Sequence, residues 1–357
     1  MEKKQRQVQI ICLCPAIGFP FGQAATNRIS LIGKAVVEGG GNFSVWHYGT
    51  SPNELNKEKN GNWNGINFSY LCGRVKRPSN KLQRLFVHFI GIAKLFYKLI
   101  LLSTWKQRPI VYMDLQGNGL NIPITLLCKI LSLKTVQEVN EWWPEVRGRS
   151  RIISFQYRHI MFRYSAGSFV ISKEIEHRIL TSTSYNKTHQ LFFLPVLAEP
   201  VHFRRNDLQQ SARGTYIFWC GMVDGYIKDV LFIIDAFSVL LKKDATIKLI
   251  IGGKYTARSE QTLIERLAHL SIPVENFILT GYISEEQLLE YIHMASVLVA
   301  PMWNDVRSST RFPTKLGMFA FSGRPIVTSP VGELTEYFMD EENCLFYEAS
   351  DSISLSK

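Results

Sequence analysis

Two lysines stand where a loop leads into a helix, a position at which proteins bind anions. Lys228 follows the strand-like run 216–221 and enters a predicted helix over 229–243. A lysine in the first helical turn is unfavourable for the helix dipole, so we interpret it as a phosphate ligand rather than as a surface charge. Lys315 lies in the first turn of a second predicted helix, 314–321, whose backbone N–H groups also favour an anion.

The segment around Lys315 carries the start and stop signals of a short helix. Pro313 suits the first turn, because a missing N–H costs little there. Leu316 begins an apolar helical face, and Gly323 suits the end of the helix. Cations and hydroxyls stand just before this helix, namely Arg307, Ser308, Ser309, Thr310 and Arg311.

Acidic residues cluster at the end of the predicted strand 135–141, in the segment EVNEWWPE. Carboxylates at a strand end can perform acid–base work or contact sugar hydroxyls, and tryptophan rings suit sugar faces. A capping asparagine among solvated acids explains the same residues equally well. The polar candidates in this segment are Glu138, Asn140, Glu141 and Glu145.

Two further loops follow predicted strands and are candidates for ligand contact. The loop GFPFGQAATNR (18–28) contains Gly22, which lets a ligand approach the backbone. It is not a full G-x-G-x-x-G, and a plain strand-to-helix turn is the alternative. The segment TSPVGELTEYF (328–338) places Glu333 and Glu336 at the start of a predicted helix, where capping and ligand binding are equally supported.

Several kinds of chemistry lack their motifs in this sequence. It contains no HExxH, no pair of CxxC motifs, no GxxxxGK[ST] and no GxSxG. Metal-dependent, P-loop and acyl-transfer activities are therefore unsupported. The six cysteines are scattered in apolar runs and no secretory hydrophobic region follows Met1, which predicts reduced, buried thiols in a cytosolic protein.

Strands and helices alternate along both halves of the chain, on either side of a polar segment at 204–214. The length of 357 residues exceeds one ordinary hydrophobic core. We therefore predict an α/β protein of two doubly wound, Rossmann-like domains, 1–203 and 204–357. Such domains face a cleft and bind ligands at the carboxyl ends of their strands.

Charge is distributed unevenly between the two halves. Residues 1–200 hold 26 Lys and Arg against 11 Asp and Glu, whereas residues 201–357 hold 15 against 19. This predicts an anionic partner for the first half, and nucleic acid, an anionic membrane and a phosphorylated substrate all qualify. Nucleic acid has the least support, because the basic residues are dispersed and no aromatic–basic RNA-binding motif is present.

The apolar run 82–108 is long enough to cross a bilayer, but four basic or titratable residues interrupt it: Arg84, His88, Lys94 and Lys98. A membrane-spanning helix is therefore not predicted. Two interpretations remain open, a crossover helix packed on the sheet and a helix lying on an anionic membrane with its lysines toward the head groups.

The longest motifs of the second half are CGMVDGYIKDVLFIIDAF, TIKLIIGG, LTGYISEEQLLEYIHMASVLVAPM and RFPTKLGMFAFSGRPIVTSPVGELTEYF. Element by element, they resemble the donor domain of GT-B glycosyltransferases of family 4. In the first half, GQAATNRI and VQEVNEWWP resemble the glycine loop and a strand end of that family's acceptor domain. The resemblance is specific over 216–338 and looser before it.

This resemblance implies a retaining transfer from a nucleotide-diphosphate sugar, which is the substrate, with no cofactor and no metal. Lys228 would neutralise the diphosphate leaving group, and Gly22 would let the first loop approach the donor. The other donor-binding positions that it implies are Pro313, Lys315, Leu316, Glu333 and Glu336. The catalytic positions that it implies are Asn140, Glu141 and Thr310.

Three positions depart from the family's pattern. Members usually carry two glutamates spaced E-x7-E, and here those positions are Thr310 and Met318. An arginine often follows the strand-end glycine, and here it is Met222. The sequence also stops where members usually continue for one or two more helices. Thr310 and Met318 favour an alternative, a non-catalytic relative that binds a nucleotide sugar or a partner transferase.

Together, the basic first half and the apolar run 82–108 predict where such a transferase works. We expect it in the cytoplasm, peripherally bound to the inner face of the membrane. The expected acceptor is a glycan or a lipid-linked glycan in cell-surface polysaccharide synthesis.

Overall fold

A computed structural model describes residues 7–14, 18–22, 24–115, 117–146, 150–199 and 215–357. The chain divides into two compact units, Met1–Leu197 and Ala198–Lys357. The polar segment predicted to separate the domains, 204–214, lies outside the described residues.

The first unit contains an eight-stranded sheet in the order β3-β4-β2-β1-β5-β6-β7-β8. Every neighbouring pair is parallel except β3 with β4. The order reverses between β1 and β5, so a ligand crevice is expected at the carboxyl ends of these two strands. The strands are β1 (Gln9–Cys14), β2 (Asn42–His47), β3 (Asn60–Trp63), β4 (Ile66–Tyr70), β5 (Ile110–Met113), β6 (Thr135–Val139), β7 (Gly167–Val170) and β8 (Gln190–Phe193).

Helices cover both faces of this sheet, which explains why β1 reads as an unbroken apolar run. Leu13 packs in a core with Leu95 and Leu99, whereas its neighbour Cys12 packs in a second core with Ile29. The helices of this unit are α1 (Ala24–Glu38), α2 (Lys81–Ser103), α3 (Asn121–Ile130), α4 (Trp143–Val146), α5 (Arg151–His159), α6 (Met161–Tyr164) and α7 (Lys173–Leu180).

The second unit contains a parallel six-stranded sheet in the order β11-β10-β9-β12-β13-β14, which reverses between β9 and β12. Its strands are β9 (Tyr216–Cys220), β10 (Lys248–Gly252), β11 (Phe277–Gly281), β12 (Val297–Ala300), β13 (Ile326–Thr328) and β14 (Leu345–Phe346). Its helices are α8 (Ile227–Leu241), α9 (Ala257–His269), α10 (Glu285–Met294), α11 (Val306–Thr310), α12 (Lys315–Ser322) and α13 (Ser352–Leu355). The predicted fold class, two doubly wound α/β units, is confirmed.

Two local predictions were wrong. The polar sequence of 51–65 predicts a loop, but this stretch contains β3, which pairs antiparallel to β4. All four residues of β3 are exposed, so the strand has no apolar alternation to reveal it. The segment after Gly332 forms only a short 3₁₀ turn, Gly332–Glu336, rather than an α-helix. The six cysteines are buried and none forms a disulfide, as predicted.

Candidate functional site

The reversal point of the second sheet brings two glycine-containing loops close together. Gly221, directly after β9, donates its N–H to the carbonyl of Gly252 at 2.9 Å. Gly253 has a φ of +140°, and a Cβ on it would lie 1.7 Å from the carbonyl oxygen of Gly221. No side chain fits between these loops, so glycine at 253 is required for the two strand ends to lie this close.

Lys315 lies at the carboxyl end of β9, although it belongs to α12. Its Nζ donates to the carbonyl oxygen of Cys220 at 2.5 Å and lies 4.1 Å from the ring centroid of Trp219. Burial lowers the pKa of this ammonium, and the nearby Asp229 carboxylate opposes that shift. The ammonium group is therefore held at the reversal point by a backbone carbonyl and an aromatic face.

Lys228 lies in the first turn of α8, and its side chain is exposed. Its Nζ lies 3.4 Å from the ring centroid of Trp303, which follows β12. The indole N–H of Trp303 donates in turn to Oδ1 of Asp229 at 2.7 Å. Trp303 thus holds Lys228 on its face and a buried carboxylate at its edge.

Asp229 is a buried acid beside these cations. Burial raises its pKa, whereas the hydrogen bond from Trp303 and the positive charges of Arg311, Lys315 and Arg307 oppose the rise. The carboxylate therefore offsets part of the positive charge around it.

Tyr226, just before α8, has two guanidinium groups near its ring. The Cζ of Arg307 lies 4.9 Å and that of Arg311 lies 5.1 Å from the ring centroid. Arg311 also donates from Nη1 to the Tyr226 hydroxyl at 3.1 Å, and Lys315 Nζ lies 5.9 Å from the same ring. We call Lys228, Arg307, Arg311 and Lys315 the cation cluster.

The cation cluster is suited to binding a multiply charged anion. Four cations lie around Tyr226 and Trp303 at the reversal point of a parallel sheet, where doubly wound folds bind their ligands. Even if the buried Glu333 near α11 is counted together with Asp229, the cations outnumber the carboxylates. This excess favours an anion such as a diphosphate.

Thr310, expected at a catalytic position, is fully buried at the end of α11. Its hydroxyl donates to the carbonyl oxygen of Val306 at 2.7 Å, one turn back in the same helix. Met318 lies on α12 and is partly buried. Neither residue offers a carboxylate, so the acids usual in the resembling family are absent from these two positions.

The helix start that includes Pro313 and Leu316 is formed as predicted, with α12 running from Lys315 to a left-handed Gly323 at φ +66°. The Leu316 side chain is fully buried in the core. Its backbone N–H donates to the carbonyl of Pro313 at 3.0 Å. These two residues therefore shape the turn that positions Lys315.

Glu333 and Glu336 differ in exposure although both lie in the same 3₁₀ turn. Glu333 is buried and Glu336 is exposed. The turn packs against α11 through Gly332, whose φ is +62° and whose Cβ would lie 2.8 Å from the carbonyl oxygen of Ser309. Glu333 is thus brought next to the helix that carries Arg307.

In the first unit, the described part of the glycine loop, 18–22, is fastened by buried hydrogen bonds. Gly18 N–H donates to His47 Nε2 at 3.1 Å, and His47 Nδ1 lies 3.0 Å from the carbonyl oxygen of Gly49. Burial lowers the pKa of His47 to about 4, so the ring is neutral at pH 7 and can accept at Nε2 while donating at Nδ1. Gly22 is exposed at the end of this fixed loop.

Glu138 is a structural residue rather than a strand-end acid. Its Oε1 lies 2.8 Å from Nε of Arg28, both side chains are almost completely buried, and the Tyr112 hydroxyl donates to Oε2. Burial raises the pKa of Glu138 to about 7, although Arg28 and Tyr112 oppose the shift. Arg28 also donates to the carbonyl oxygens of Leu194 and Pro195, so this pair ties α1 to the end of the unit.

Asn140 and Glu141 follow β6 and lie beside an open groove. The Glu141 carbonyl oxygen accepts from the Tyr157 hydroxyl at 3.3 Å. The groove has a volume of about 920 Å³, and Arg178 on its wall pairs with Glu145 at 2.8 Å. Arginines and aromatic rings dominate the lining, which includes Trp142, Arg151, Phe155, Tyr157, Arg158 and Arg178.

Helix α2 packs one face on the sheet and exposes another. Among the described residues it is the one helix that is long and apolar enough to cross a membrane. Only 22% of its most apolar segment is buried against the rest of the protein. Leu95, Leu99 and Leu102 are buried. An exposed apolar stripe runs along its first half at helical spacing, formed by Leu82, Leu85, Phe86 and Phe89.

Sequence reasoning missed the aromatic residues that organise the cation cluster. Trp303 and Tyr226 carry no motif that marks them, because their role depends on loops that meet only in the folded sheet. One signal was available for the arginines, since Arg307 and Arg311 are cations that precede the predicted helix start at 314.

A known protein family matches the second half of the chain. Residues 214–357 match the family model described as glycosyl transferases group 1. No curated protein matches the sequence. This agrees with the resemblance found in the motifs of the second half.

Several solved structures are similar to almost the whole chain. The match with the structure of Anabaena HepE in complex with UDP and glucose covers 98% of this chain and 88% of the HepE chain, at 12% identity and a TM-score of 0.71. Sucrose-phosphate synthase of Thermosynechococcus elongatus gives the same coverage at 16% identity and a TM-score of 0.68. A glycosyltransferase of Rickettsia africae covers 99% of this chain and 87% of its own, at 14% identity and a TM-score of 0.64. At these identities the similarity establishes the fold, which is GT-B.

Proposed function

We propose that this chain, whose residues 214–357 form a glycosyl transferases group 1 domain in a GT-B fold, is a retaining glycosyltransferase. It transfers a sugar from a nucleotide-diphosphate sugar to a glycan or lipid-linked acceptor. The observation that carries the proposal is the cation cluster at the reversal point of the second sheet. The sugar nucleotide is the substrate, and no separate cofactor is proposed.

The cation cluster supplies what the departure of a nucleoside diphosphate demands. Negative charge develops on the diphosphate as its bond to the sugar breaks, and cations fixed in advance stabilise that charge. Lys228 on the face of Trp303 and Lys315 on the carbonyl of Cys220 are fixed in this way. A structure with UDP bound, as in Anabaena HepE, supports UDP-sugars as the first donors to test.

The proposed acceptor side is the first unit. Asn140 and Glu141 follow β6, beside the groove of about 920 Å³. We assign these two residues to acceptor or sugar hydroxyls, because amide and carboxylate groups hydrogen-bond hydroxyls directionally. Aromatic rings such as Phe155 suit sugar faces, and arginines such as Arg158 suit phosphate or carboxylate on an anionic glycan or a lipid-linked one.

The proposed location is the inner face of a membrane, where lipid-linked acceptors of cell-surface polysaccharides are available. The exposed apolar stripe on α2 and the basic excess of residues 1–200 support this location. An amphipathic helix with lysines lies stably in the interface of an anionic bilayer.

Substitution of Lys228 tests the proposed function. We expect Lys228→Ala to lower kcat for transfer from a UDP- or GDP-sugar by about 100-fold, since one preorganised charge is lost from the leaving-group site. Product formation is measured by mass spectrometry over a panel of donors and glycan acceptors. Lys243→Ala is the matched control, because Lys243 is an exposed lysine just beyond the other end of α8.

Unchanged turnover in Lys228→Ala would contradict the proposed role of Lys228 in binding the phosphate groups.

The second candidate function, a non-catalytic relative that binds a nucleotide sugar, is favoured by Thr310 and Met318 at the positions of the usual glutamates. Nucleotide-sugar binding in calorimetry, with no product and no donor hydrolysis, would support that candidate instead.

A further inference from the structure

Arg311 is a charged side chain buried with incomplete hydrogen bonding. It is only 9% exposed, and its Nε has no hydrogen-bond partner among the residues that the structure describes. The Nε of Arg307, whose guanidinium also lies near the Tyr226 ring, is likewise without an acceptor in the described part of the chain. Because burying an unsatisfied charged donor is costly, an acceptor from outside the protein is expected at this point.

Tyr226 determines where these two guanidinium groups lie. Its ring lies 4.9 Å from Arg307 Cζ and 5.1 Å from Arg311 Cζ, and its hydroxyl accepts from Arg311 Nη1. The hydroxyl engages only one edge of the Arg311 guanidinium, so the Nε–H remains for a ligand. Two like charges held on one ring repel each other, and an anion between them relieves that repulsion.

The surroundings decide what kind of anion fits. Lys315 Nζ lies within 6 Å of the same ring centroid, and its positive charge adds to the attraction of this site for an anion. Met222, next to the end of β9, is uncharged, so guanidinium groups reach this site from α11 and the residue after it. A diphosphate carries more negative charge and more acceptor oxygens than a monophosphate, so it can contact the ammonium and both guanidinium groups more completely.

We propose that Arg311, positioned by Tyr226 and accompanied by Arg307, binds the diphosphate of the donor and makes this site selective for nucleoside diphosphates over monophosphates. The inference rests on the proposed function and adds to it the roles of these three residues in binding the diphosphate. Arg311 is the ligand-binding residue, and Tyr226 is a positioning residue.

Calorimetry with UDP, GDP, ADP and the corresponding monophosphates tests this inference on the full chain. We expect the wild-type protein to bind one diphosphate more tightly than its monophosphate. In Arg311→Gln that preference is expected to fall about tenfold or more, mainly through weaker diphosphate binding. Arg311→Lys is expected to lie in between, because it retains the charge and loses the two-pronged geometry.

A second measurement separates ligand binding from structural support. Without ligand, Arg311→Gln is expected to keep or raise the Tm, because a repelling buried charge has been removed, while the Tm increase on adding the diphosphate shrinks. Tyr226→Phe retains the ring and is expected to reduce the preference less than Arg311→Gln does. Arg258→Gln, an exposed arginine of the same unit, is the matched control and should behave as wild type.

The outcomes distinguish this inference from the function on which it rests. If the wild type binds a diphosphate and Arg311→Gln keeps the wild-type preference, the role of Arg311 is overturned and the proposed function stands. If the ligand-free Arg311→Gln protein loses stability and the ligand-induced Tm increase is unchanged, Arg311 is structural and the inference fails. If no nucleoside diphosphate binds the wild type, both proposals fall.

Discussion

His47 shows how burial converts a titratable side chain into a fixed structural one. It accepts from Gly18 at one ring nitrogen and faces the carbonyl of Gly49 at the other. Its stacking on Tyr70, with ring centroids 4.6 Å apart, excludes water from the ring. The neutral ring therefore fastens the glycine loop only while it stays unprotonated.

The pH dependence of stability follows from the lowered pKa of His47. The ordinary value is 6.5 and the folded value is about 4, so between these pH values the unfolded chain binds a proton that the folded protein does not. Stability is consequently lost as pH falls from 6.5 toward 4, by at most about 3 kcal/mol from this residue. Urea unfolding at a series of pH values measures it.

Variants assign that slope to His47. His47→Asn is expected to lower the number of protons taken up on unfolding between pH 6.5 and 4 by about one. His159→Asn, which replaces an exposed histidine of the same unit, is expected to leave the slope unchanged. An identical slope in His47→Asn and wild type would contradict the neutral, buried ring.

At the scale of the element, the close packing of α2 against the first sheet depends on a single glycine, Gly91. A Cβ on Gly91 would lie 1.8 Å from the backbone oxygen of Tyr48. The backbones therefore touch at this point, and the buried residues Leu95, Leu99 and Leu102 follow on the same side. The helix can approach the residue that follows β2 this closely only because position 91 lacks a side chain.

Gly91→Ala tests this packing because two effects have opposite signs. Alanine in place of glycine favours the helix by about 1 kcal/mol of unfolding free energy. Its Cβ would overlap Tyr48, however, so α2 must move away from the sheet, which costs about 2–3 kcal/mol. We expect net destabilisation in urea unfolding. Ala93→Gly, on the exposed side of α2, should cost about 1 kcal/mol from propensity alone. A gain in stability for Gly91→Ala would contradict the described contact.

The sequence predicts helices and strands well where the spacing of apolar residues agrees with the positions of proline and glycine at their ends. Helix α12 lies within one residue of its predicted bounds, because Pro313 and Gly323 mark its two ends. Strand β3 could not be predicted, since its exposed residues carry no apolar alternation. At the candidate site, Lys228 and Lys315 could be identified from their positions in a first helical turn. Trp303 and Tyr226 have no such local signal, because their roles depend on contacts between loops that are distant in sequence.

At the scale of the whole molecule, the two units differ in charge and in exposed apolar surface. The basic excess lies in residues 1–200, which also carry the stripe of Leu82, Leu85, Phe86 and Phe89. Residues 201–357 have a slight acidic excess, yet they contain the cation cluster. Local geometry therefore sets the chemistry of the cation cluster, whereas the net charge of the first unit predicts a preference for anionic surfaces.

Vesicle binding tests that preference for an anionic surface. We expect the full chain to sediment with vesicles that contain anionic lipid, to bind neutral vesicles weakly, and to dissociate as salt rises. Phe89→Glu is expected to lower binding to anionic vesicles by about tenfold or more, because a large apolar side chain in the stripe is replaced by a charge. Ile264→Glu, an equally drastic change on an exposed residue of α9, is the matched control and should bind as wild type. Equal binding of Phe89→Glu and wild type would separate α2 from the membrane, and loss of binding in both variants would indicate that general charge, rather than the stripe, attracts the chain to the bilayer.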